Sequence, residues 1–320
     1  MLSGELRVPA WGYGAANLGN LFRAVSDDES WEIVEAAWES GIRYFDTAPH
    51  YGMGLSERRL GAFLQTKPRD EFVVSTKAGR LIRPNPHDDG GLDLDNDFHV
   101  PTTTRREWDF SARGIEQSLD ESLERLGLDR VDVLYLHDPE RHDLDLALAE
   151  ALPAVTALRD AGRVAAVGVG SMTSGALAAA VRSADLDLIM VAGRYTLLEQ
   201  PAAGDVLPAC RARGTGIVAA SVFNSGLLAT DHPSRTDRYE YGSVPEAVWQ
   251  RLTSIVAVCR AHDVPLPAAA LQFPLREATV RSVVVGGSRP DHLRRNAELA
   301  RLPIPEAFWQ DLADAALIAA

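Results

Sequence analysis

The sequence predicts a (β/α)8 TIM barrel carrying long loops on its C-terminal face. Three observations lead there. Eight short runs rich in β-branched and apolar residues alternate with longer segments of helical period along the whole chain. Runs such as Val131-Asp-Val-Leu-Tyr-Leu136 and Ser282-Val-Val-Val285 are apolar almost without interruption, as strands buried on both faces of a parallel sheet are. A length of 320 residues accommodates such a barrel as a single domain, 1–320. The competing architecture is an open doubly wound sheet, which expects Gly-x-Gly-x-x-Gly turning from the first strand straight into a helix. Gly12-Tyr-Gly14-Ala-Ala-Asn17 matches that turn only in part and leads into no helical pattern directly.

In chain order, strands are expected at residues 10–12, 42–46, 72–77, 131–137, 165–170, 188–192, 217–221 and 282–286. Caps punctuate the helices between them. Ser26-Asp-Asp-Glu29 has the form of a capping box, and Gly41 stands at that helix's end. Ile115, Leu119, Leu123 and Leu126 follow helical spacing before Gly127, as do Leu148, Leu152, Val155 and Leu158 before Gly162. Ser243-Val-Pro-Glu246 opens another helix, with Val248, Leu252, Ile255 and Cys259 on one face. Two connections, 78–110 and 223–243, are unusually long, and both follow strands, so both belong to the C-terminal face. In the first, Asp93-Leu-Asp-Asn-Asp97 resembles the start of a calcium loop. Phe98 stands where that template requires Gly and Thr104 where it requires Glu, so no metal is expected.

Composition narrows the function classes. Hydrophobic residues make up 46% of the chain and charged residues 24%, an ordinary globular balance. A net charge of -13 argues against a nucleic-acid groove, which needs clustered Lys and Arg, while leaving room for a locally positive pocket for a small anion. The two cysteines, Cys210 and Cys259, form no redox or zinc motif, which fits a reducing cytoplasm. The segment Met1 to Pro9 has no secretory pattern, and no run of about 18 apolar residues crosses a membrane.

In a barrel, chemistry gathers at the C-terminal ends of the strands. There the sequence places Asp46, Lys77 and His137, with Tyr51 five residues past Asp46 in the following turn. Charged residues closing buried apolar strands are costly unless paired. As a set they suit proton transfer to or from a carbonyl oxygen. A free phenol has a pKa of about 10, and a nearby ammonium favours the phenolate. Asp46 would keep Lys77 charged and in place, and His137 would donate a hydrogen bond that orients the substrate oxygen. Each residue also has a plain structural reading. Asp46 and Lys77 could be a structural ion pair in the barrel mouth, Tyr51 a surface turn residue, and His137 a strand cap. His50 competes with His137 but sits in a turn beside a proline, and His137 and His142 lack a zinc-ligand pattern.

The run Gly41-Ile-Arg-Tyr-Phe-Asp-Thr-Ala-Pro-His-Tyr-Gly52 resembles the signature of the aldo-keto reductase superfamily. Ser75-Thr-Lys77, Tyr135-Leu-His137 and Gly286-Gly-Ser-Arg-Pro-Asp-His-Leu-Arg-Arg-Asn296 follow in that family's order, so the resemblance covers nearly the whole chain. It implies an NAD(P)(H)-dependent oxidoreductase interconverting an aldehyde, ketone or sugar lactone with the matching alcohol or aldose. It also implies a catalytic tetrad of Asp46, Tyr51, Lys77 and His137. Lys77-Ala-Gly-Arg-Leu-Ile-Arg-Pro84, His137-Asp-Pro139, Arg194-Tyr-Thr-Leu-Leu198 and Phe223-Asn-Ser-Gly-Leu-Leu228 are similar to the L-fucose, D-threo-aldose and pyridoxal 4-dehydrogenase branch.

By the same resemblance, Gly14 and Asp46 would lie at the nicotinamide end of the cofactor, with Gly170 and Ser171. Ser221, Phe223, Asn224, Ser225, Gly226 and Leu227 would strap the pyrophosphate. Gly286, Gly287, Ser288, Arg289, His292 and Asn296 would hold the adenosine side, where a helix N-terminus favours anions. Two departures stand out: Gly170-Ser171-Met172 replaces a common Ser-Asn, and Ala192-Gly193 replaces a common glutamine. Gly286 and His292 occupy positions where NADP-preferring members carry Lys and Arg, which leans toward NAD. The expected partner is a small carbonyl, sugar or alcohol, met by Tyr51, His137 and the aromatics Tyr13 and Trp108, with Tyr239 and Tyr241 also available for stacking. The chain is expected to be a monomer or weak homo-oligomer. The alternative is a nicotinamide-binding regulatory or accessory subunit with little turnover.

Overall fold

The computed structural model describes residues 6–240 and 242–319. Among the described residues there are twelve strands: β1 (Trp11–Gly14), β2 (Tyr44–Asp46), β3 (Val73–Ala78), β4 (Arg80–Pro84), β5 (Thr104–Trp108), β6 (Val133–His137), β7 (Ala166–Ser171), β8 (Leu188–Ala192), β9 (Gly216–Ala220), β10 (Arg238–Tyr239), β11 (Gly242–Ser243) and β12 (Val280–Gly286). Eight of them close into a barrel in the order β1-β12-β9-β8-β7-β6-β3-β2. Every pairing around that ring is parallel. The expected strands are all present, with ends shifted by a few residues, the first running on to Gly14 rather than stopping at Gly12.

Alternation along the strands divides the core in two. Tyr44, Val133, Tyr135, Leu188, Met190, Val218 and Val284 fill the barrel interior. The intervening residues, among them Tyr13, Phe45, Val74, Leu134, Val169, Ile189, Ile217 and Val283, face outward and pack under the helices. The same parity points Asp46, Lys77 and His137 inward, in the layer above Tyr44, Ser75 and Tyr135. The fold therefore brings to one mouth residues that lie far apart in sequence.

The helices form where their caps and apolar spacing put them. Helix Ala112–Leu126 starts at Ser111, whose hydroxyl accepts from the Gly114 N–H, and ends at Gly127 with φ 61°. Helix Asp27–Glu39 is capped by Ser26, but the other half of the expected box is absent, because the Glu29 carboxylate turns to Arg23. Ser243, by contrast, caps no helix: it lies in β11, and helix Glu246–Ala261 begins behind Pro245 without a side-chain cap.

The two long connections are not structureless. The first folds into an antiparallel hairpin of β4 and β5, and the second carries the short β10–β11 ladder. Met53, Phe98 and Val100 form a small apolar cluster between hairpin and barrel, with Tyr51 packed against it. Among the described residues no helix is long and apolar enough to cross a membrane.

Candidate active site

The mouth of the barrel holds a buried ion pair. Lys77 Nζ donates to Asp46 Oδ2 at 2.6 Å and to the Thr47 carbonyl at 2.9 Å. The Ser75 hydroxyl donates to Asp46 Oδ1 at 2.7 Å. Lys77 and Asp46 are each only 2% exposed, so their charges depend on this mutual pairing. The Tyr51 ring lies over the ammonium, its centroid 4.8 Å from Lys77 Nζ. The His137 ring stands perpendicular to that of Tyr51, with centroids 5.8 Å apart. The four residues thus meet in one cluster.

The turn that presents Tyr51 is held by a backbone contact between two loops. A Cβ on Gly19 would lie 2.6 Å from the Tyr51 carbonyl carbon, and one on Gly52 would lie 2.2 Å from the Gly19 oxygen. Gly52 also has φ +60°. Gly19→Ala is therefore expected to push the Tyr51 turn outward, lowering kcat by about a hundredfold while melting remains cooperative. A kcat equal to that of the unsubstituted enzyme would show that the turn tolerates displacement.

The electrostatics separate the roles. Burial pushes the Tyr51 phenol above its usual range; the Lys77 charge opposes this and Asp46 adds to it. The sequence-based expectation of a lysine-lowered phenol is thus only half met, because desolvation of a phenolate outweighs the ammonium. Tyr51 rests as a neutral acid. Burial also disfavours charge on Lys77, but Asp46 and Tyr51 more than offset it and hold the ammonium above its usual range. His137 is pushed well below its usual range by burial, then by Arg80, Lys77, His50 and Arg141, and so stays neutral.

Beside this cluster runs a groove of about 530 Å³, lined by Gly14, Asp46, Tyr51, Ser221, Phe223, Asn224, Ser225, Gly226, Gly286, Gly287, Ser288, His292 and Asn296 among others. The donor set fits a dinucleotide. Asn224 Oδ1 is buried with no hydrogen-bond partner. Asn224, Ser225 and Gly226 all have positive φ, a strained strap of the kind found at ligand sites. Helix Pro290–Leu299 begins at Arg289 with no side-chain cap, at the kind of helix N-terminus that favours anions, and His292 and Asn296, one turn apart, face the groove together.

Several nominated residues lie elsewhere. Tyr13 is fully buried on the outer face of β1, its hydroxyl donating to the Gly287 carbonyl at 3.2 Å. It has the wrong strand parity to reach a substrate, a consequence of strand alternation between Gly12 and Gly14. Ser171 likewise points outward, donating to Glu140 Oε1 at 2.5 Å, and Met172 lines the groove instead. Leu227 is buried in the outer core, and Gly170 sits where a Cβ would lie 3.8 Å from Lys77 Cε. Arg289 lines an adjoining outer cleft with Arg23, Glu29 and Arg294. Trp108 stacks on His142 rather than on the groove, and Tyr239 is buried beneath the strap. Tyr241 lies outside the described residues. Asp93, from the calcium-like run, is paired with Arg106 at 2.6 Å.

Sequence reading missed Asn17, Leu21, Phe22, Met190, Glu240 and Arg295, which also line the groove. It set His50 aside, yet that ring lies 5.6 Å from His137, and its Nδ1 is buried without a partner. Strand parity could have signalled Met190, and helix spacing from His292 could have signalled Arg295, which follows it by three residues on the same helix; Asn17, Leu21, Phe22 and Glu240 come from segments between the barrel strands and carry no such periodicity.

A buried Asp46–Lys77–Tyr51–His137 cluster at the end of a groove whose lining fits a dinucleotide agrees with one enzyme class, the NAD(P)(H)-dependent oxidoreductases of carbonyl–alcohol pairs. The chain belongs to the Aldo/keto reductase family, whose profile matches residues 10–316. It is 71% identical over 314 residues to the D-threo-aldose 1-dehydrogenase of a Pseudomonas sp, covering 98% of this chain and 95% of that one. It is 38% identical to the pyridoxal 4-dehydrogenase of Microbacterium luteolum, again covering 98% and 95%. An aldo-keto reductase of Bacillus halodurans in its holo form shares the fold, with a TM-score of 0.76 at 23% identity over 98% of this chain and 93% of the other.

Proposed function

We propose that residues 1–320 act as one catalytic domain that oxidises a small aldose at its anomeric carbon to the lactone, with Tyr51 as the proton-transferring residue. The observation that carries this reading is the buried Lys77, braced by Asp46 and Thr47 directly beneath the Tyr51 ring. The 71% identity to an aldose dehydrogenase supports the substrate class. When bound, the nicotinamide supplies the hydride acceptor for oxidation, or the donor for reduction. In oxidation the anomeric hydroxyl gives its proton to the Tyr51 oxygen as the C1 hydride leaves; in reduction Tyr51 gives that proton to the carbonyl oxygen. Lys77 stabilises the phenolate, Asp46 keeps Lys77 in place, and His137 holds the substrate oxygen. Asn224, Ser225, Gly226 and the N-terminus of helix Pro290–Leu299 would bind the diphosphate, and Asn296 the adenine.

The reading leans to NAD. The outer cleft beside Ser288 carries Glu29, Glu32, Glu35 and Asp291 as well as Arg23, Arg289 and Arg294, and Glu29 already pairs with Arg23. A 2′-phosphate would meet more carboxylates there than free cations. Cys210 and Cys259, both buried and unpaired, support a cytoplasmic setting.

The test is a panel of aldoses and simple alcohols with NAD and NADP, followed by absorbance of the reduced nicotinamide. Turnover on an aldose with NAD is expected. Tight nicotinamide binding with no turnover on any compound would favour an accessory, non-catalytic role instead.

The raised phenol has a pH signature. Reduction needs protonated Tyr51 and is expected to be flat through neutrality, falling only on the alkaline side of the ordinary phenol value. Oxidation needs the phenolate, so its kcat/KM is expected to rise with pH across the same range. Parallel profiles in the two directions would remove Tyr51 from the proton path.

A further inference from the structure

We propose that Arg80 is a positioning residue for His137: it donates to Nδ1, leaves the ring proton on Nε2, and so fixes the imidazole as a neutral hydrogen-bond donor to the substrate oxygen. This rests on the tetrad reading above and adds to it a residue that the tetrad does not contain.

Arg80 is the first residue of β4, in the hairpin inserted between β3 and helix Ala112–Leu126. Gly79, with φ +104°, lets the chain leave β3 just past Lys77 and aim Arg80 back across the mouth. The side chain is 4% exposed and held on three sides. Nη1 lies 3.0 Å from His137 Nδ1, and Nη2 donates to Asp138 Oδ2 at 2.9 Å. The guanidinium face lies 4.2 Å from the centroid of Trp108, its cross-strand neighbour in the hairpin, and Trp108 stacks on His142 at 5.3 Å. A guanidinium has donors only. Nδ1 must therefore present a lone pair, which excludes both the imidazolium and the tautomer protonated at Nδ1.

The surroundings act in the same direction. Lys77 from β3, Arg80 from β4, and Arg141 from the turn after β6 all place positive charge toward the ring. His50, from the turn after β2, is itself held neutral, by burial first and then by Arg106, Arg80, Arg141 and Lys77. Tyr51 contributes a neutral phenol. Two carboxylates belong to this mouth: Asp46 is held by Lys77, and Asp138 is engaged by Arg80, with its Oδ2 3.6 Å from Nε2, beyond hydrogen-bond reach. Nε2–H therefore remains available to a ligand. Trp108 belongs to this assembly as the platform under Arg80, which accounts for an aromatic there that does not line the groove.

The test compares Arg80→Met and Arg80→Lys in the full-length enzyme. Arg80→Met removes the donor and the charge. Its kcat/KM is expected to fall by about a hundredfold, and its pH profile to gain an acid-side limb, as His137 becomes protonated at pH values where the unsubstituted enzyme keeps it neutral. NADH affinity, read by fluorescence titration, is expected to stay unchanged, because Arg80 does not line the groove. Arg80→Lys retains the charge and is expected to keep the flat acid side at reduced rate, and added guanidinium is expected to restore part of the Arg80→Met activity. A folded Arg80→Met enzyme with an unaltered profile and rate would overturn the proposal. If that variant fails to fold, 15N-histidine spectra of the unsubstituted enzyme decide, with the His137 signal assigned by its loss in His137→Asn. The Nε2–H tautomer is expected, and an Nδ1–H tautomer or an imidazolium at neutral pH would overturn the assignment. Tyr51→Phe keeps the two readings apart. Full activity there removes the tetrad, whereas an inactive Tyr51→Phe with an unaltered Arg80→Met removes only the role of Arg80.

Discussion

Replacing Tyr51 with phenylalanine is expected to lower kcat by about a thousandfold in both directions, within the range general acid–base groups contribute. The substitution deletes one oxygen and leaves the ring to pack against Phe98, His137 and the Lys77 ammonium, so the melting temperature is expected to change little. Nicotinamide affinity is expected to hold within about twofold, because on the proposed reading the strap and the helix N-terminus, rather than this hydroxyl, would bind the diphosphate. Stopped-flow turnover beside fluorescence titration separates the two quantities. Retained kcat would mean that another group carries the proton, with His50, whose ring centroid lies 6.1 Å from that of Tyr51, as a candidate.

The second large effect belongs to Lys77→Met. Methionine matches the stem but leaves Asp46 buried with only the Ser75 hydroxyl as a donor. Breaking a buried pair from one side costs about 3–5 kcal/mol, so the midpoint of chemical denaturation should drop visibly. Turnover is expected to fall by about a thousandfold as well, because the phenolate loses its counter-charge and the Tyr51 phenol, already raised by burial, rises further. The double change Asp46→Ala with Lys77→Met discriminates between stability and catalysis. Removing both charges is expected to recover most of the lost stability while activity stays absent. A double variant as unstable as the single one would show that the pair is not the source of the cost.

The framework of the site was legible because strand ends are local features. Asp46, Lys77 and His137 each close an apolar run, and parity along β2, β3 and β6 puts all three inside the barrel once the strands are placed. The same parity, had it been applied to β1 and β7, would have excluded Tyr13 and Ser171, which alternate outward beside inward-facing glycines. Helix-face spacing was equally informative: His292 and Asn296, four residues apart, both reach the groove.

What stayed hidden depends on contacts between segments distant in sequence. Arg80 reaches His137 across 57 positions, and Arg106 donates to the His50 carbonyl across 56. Neither spacing carries a periodic signal, and the hairpin that carries both read only as a long connection. The net direction of the Tyr51 shift was hidden for the same reason, because burial of the ring under the loop bearing Phe98 and Val100 outweighs a lysine that the sequence did reveal.

By itself the sequence determined the barrel, the order of its strands and the identity of the groups at its mouth, because periodicity and residue chemistry are properties of short segments. Only the tertiary structure decided which of those groups touch, which protons they hold and which nominated residues face away. Desolvation and hydrogen bonding are set by what packs against a side chain from elsewhere in the chain, and no local pattern contains that.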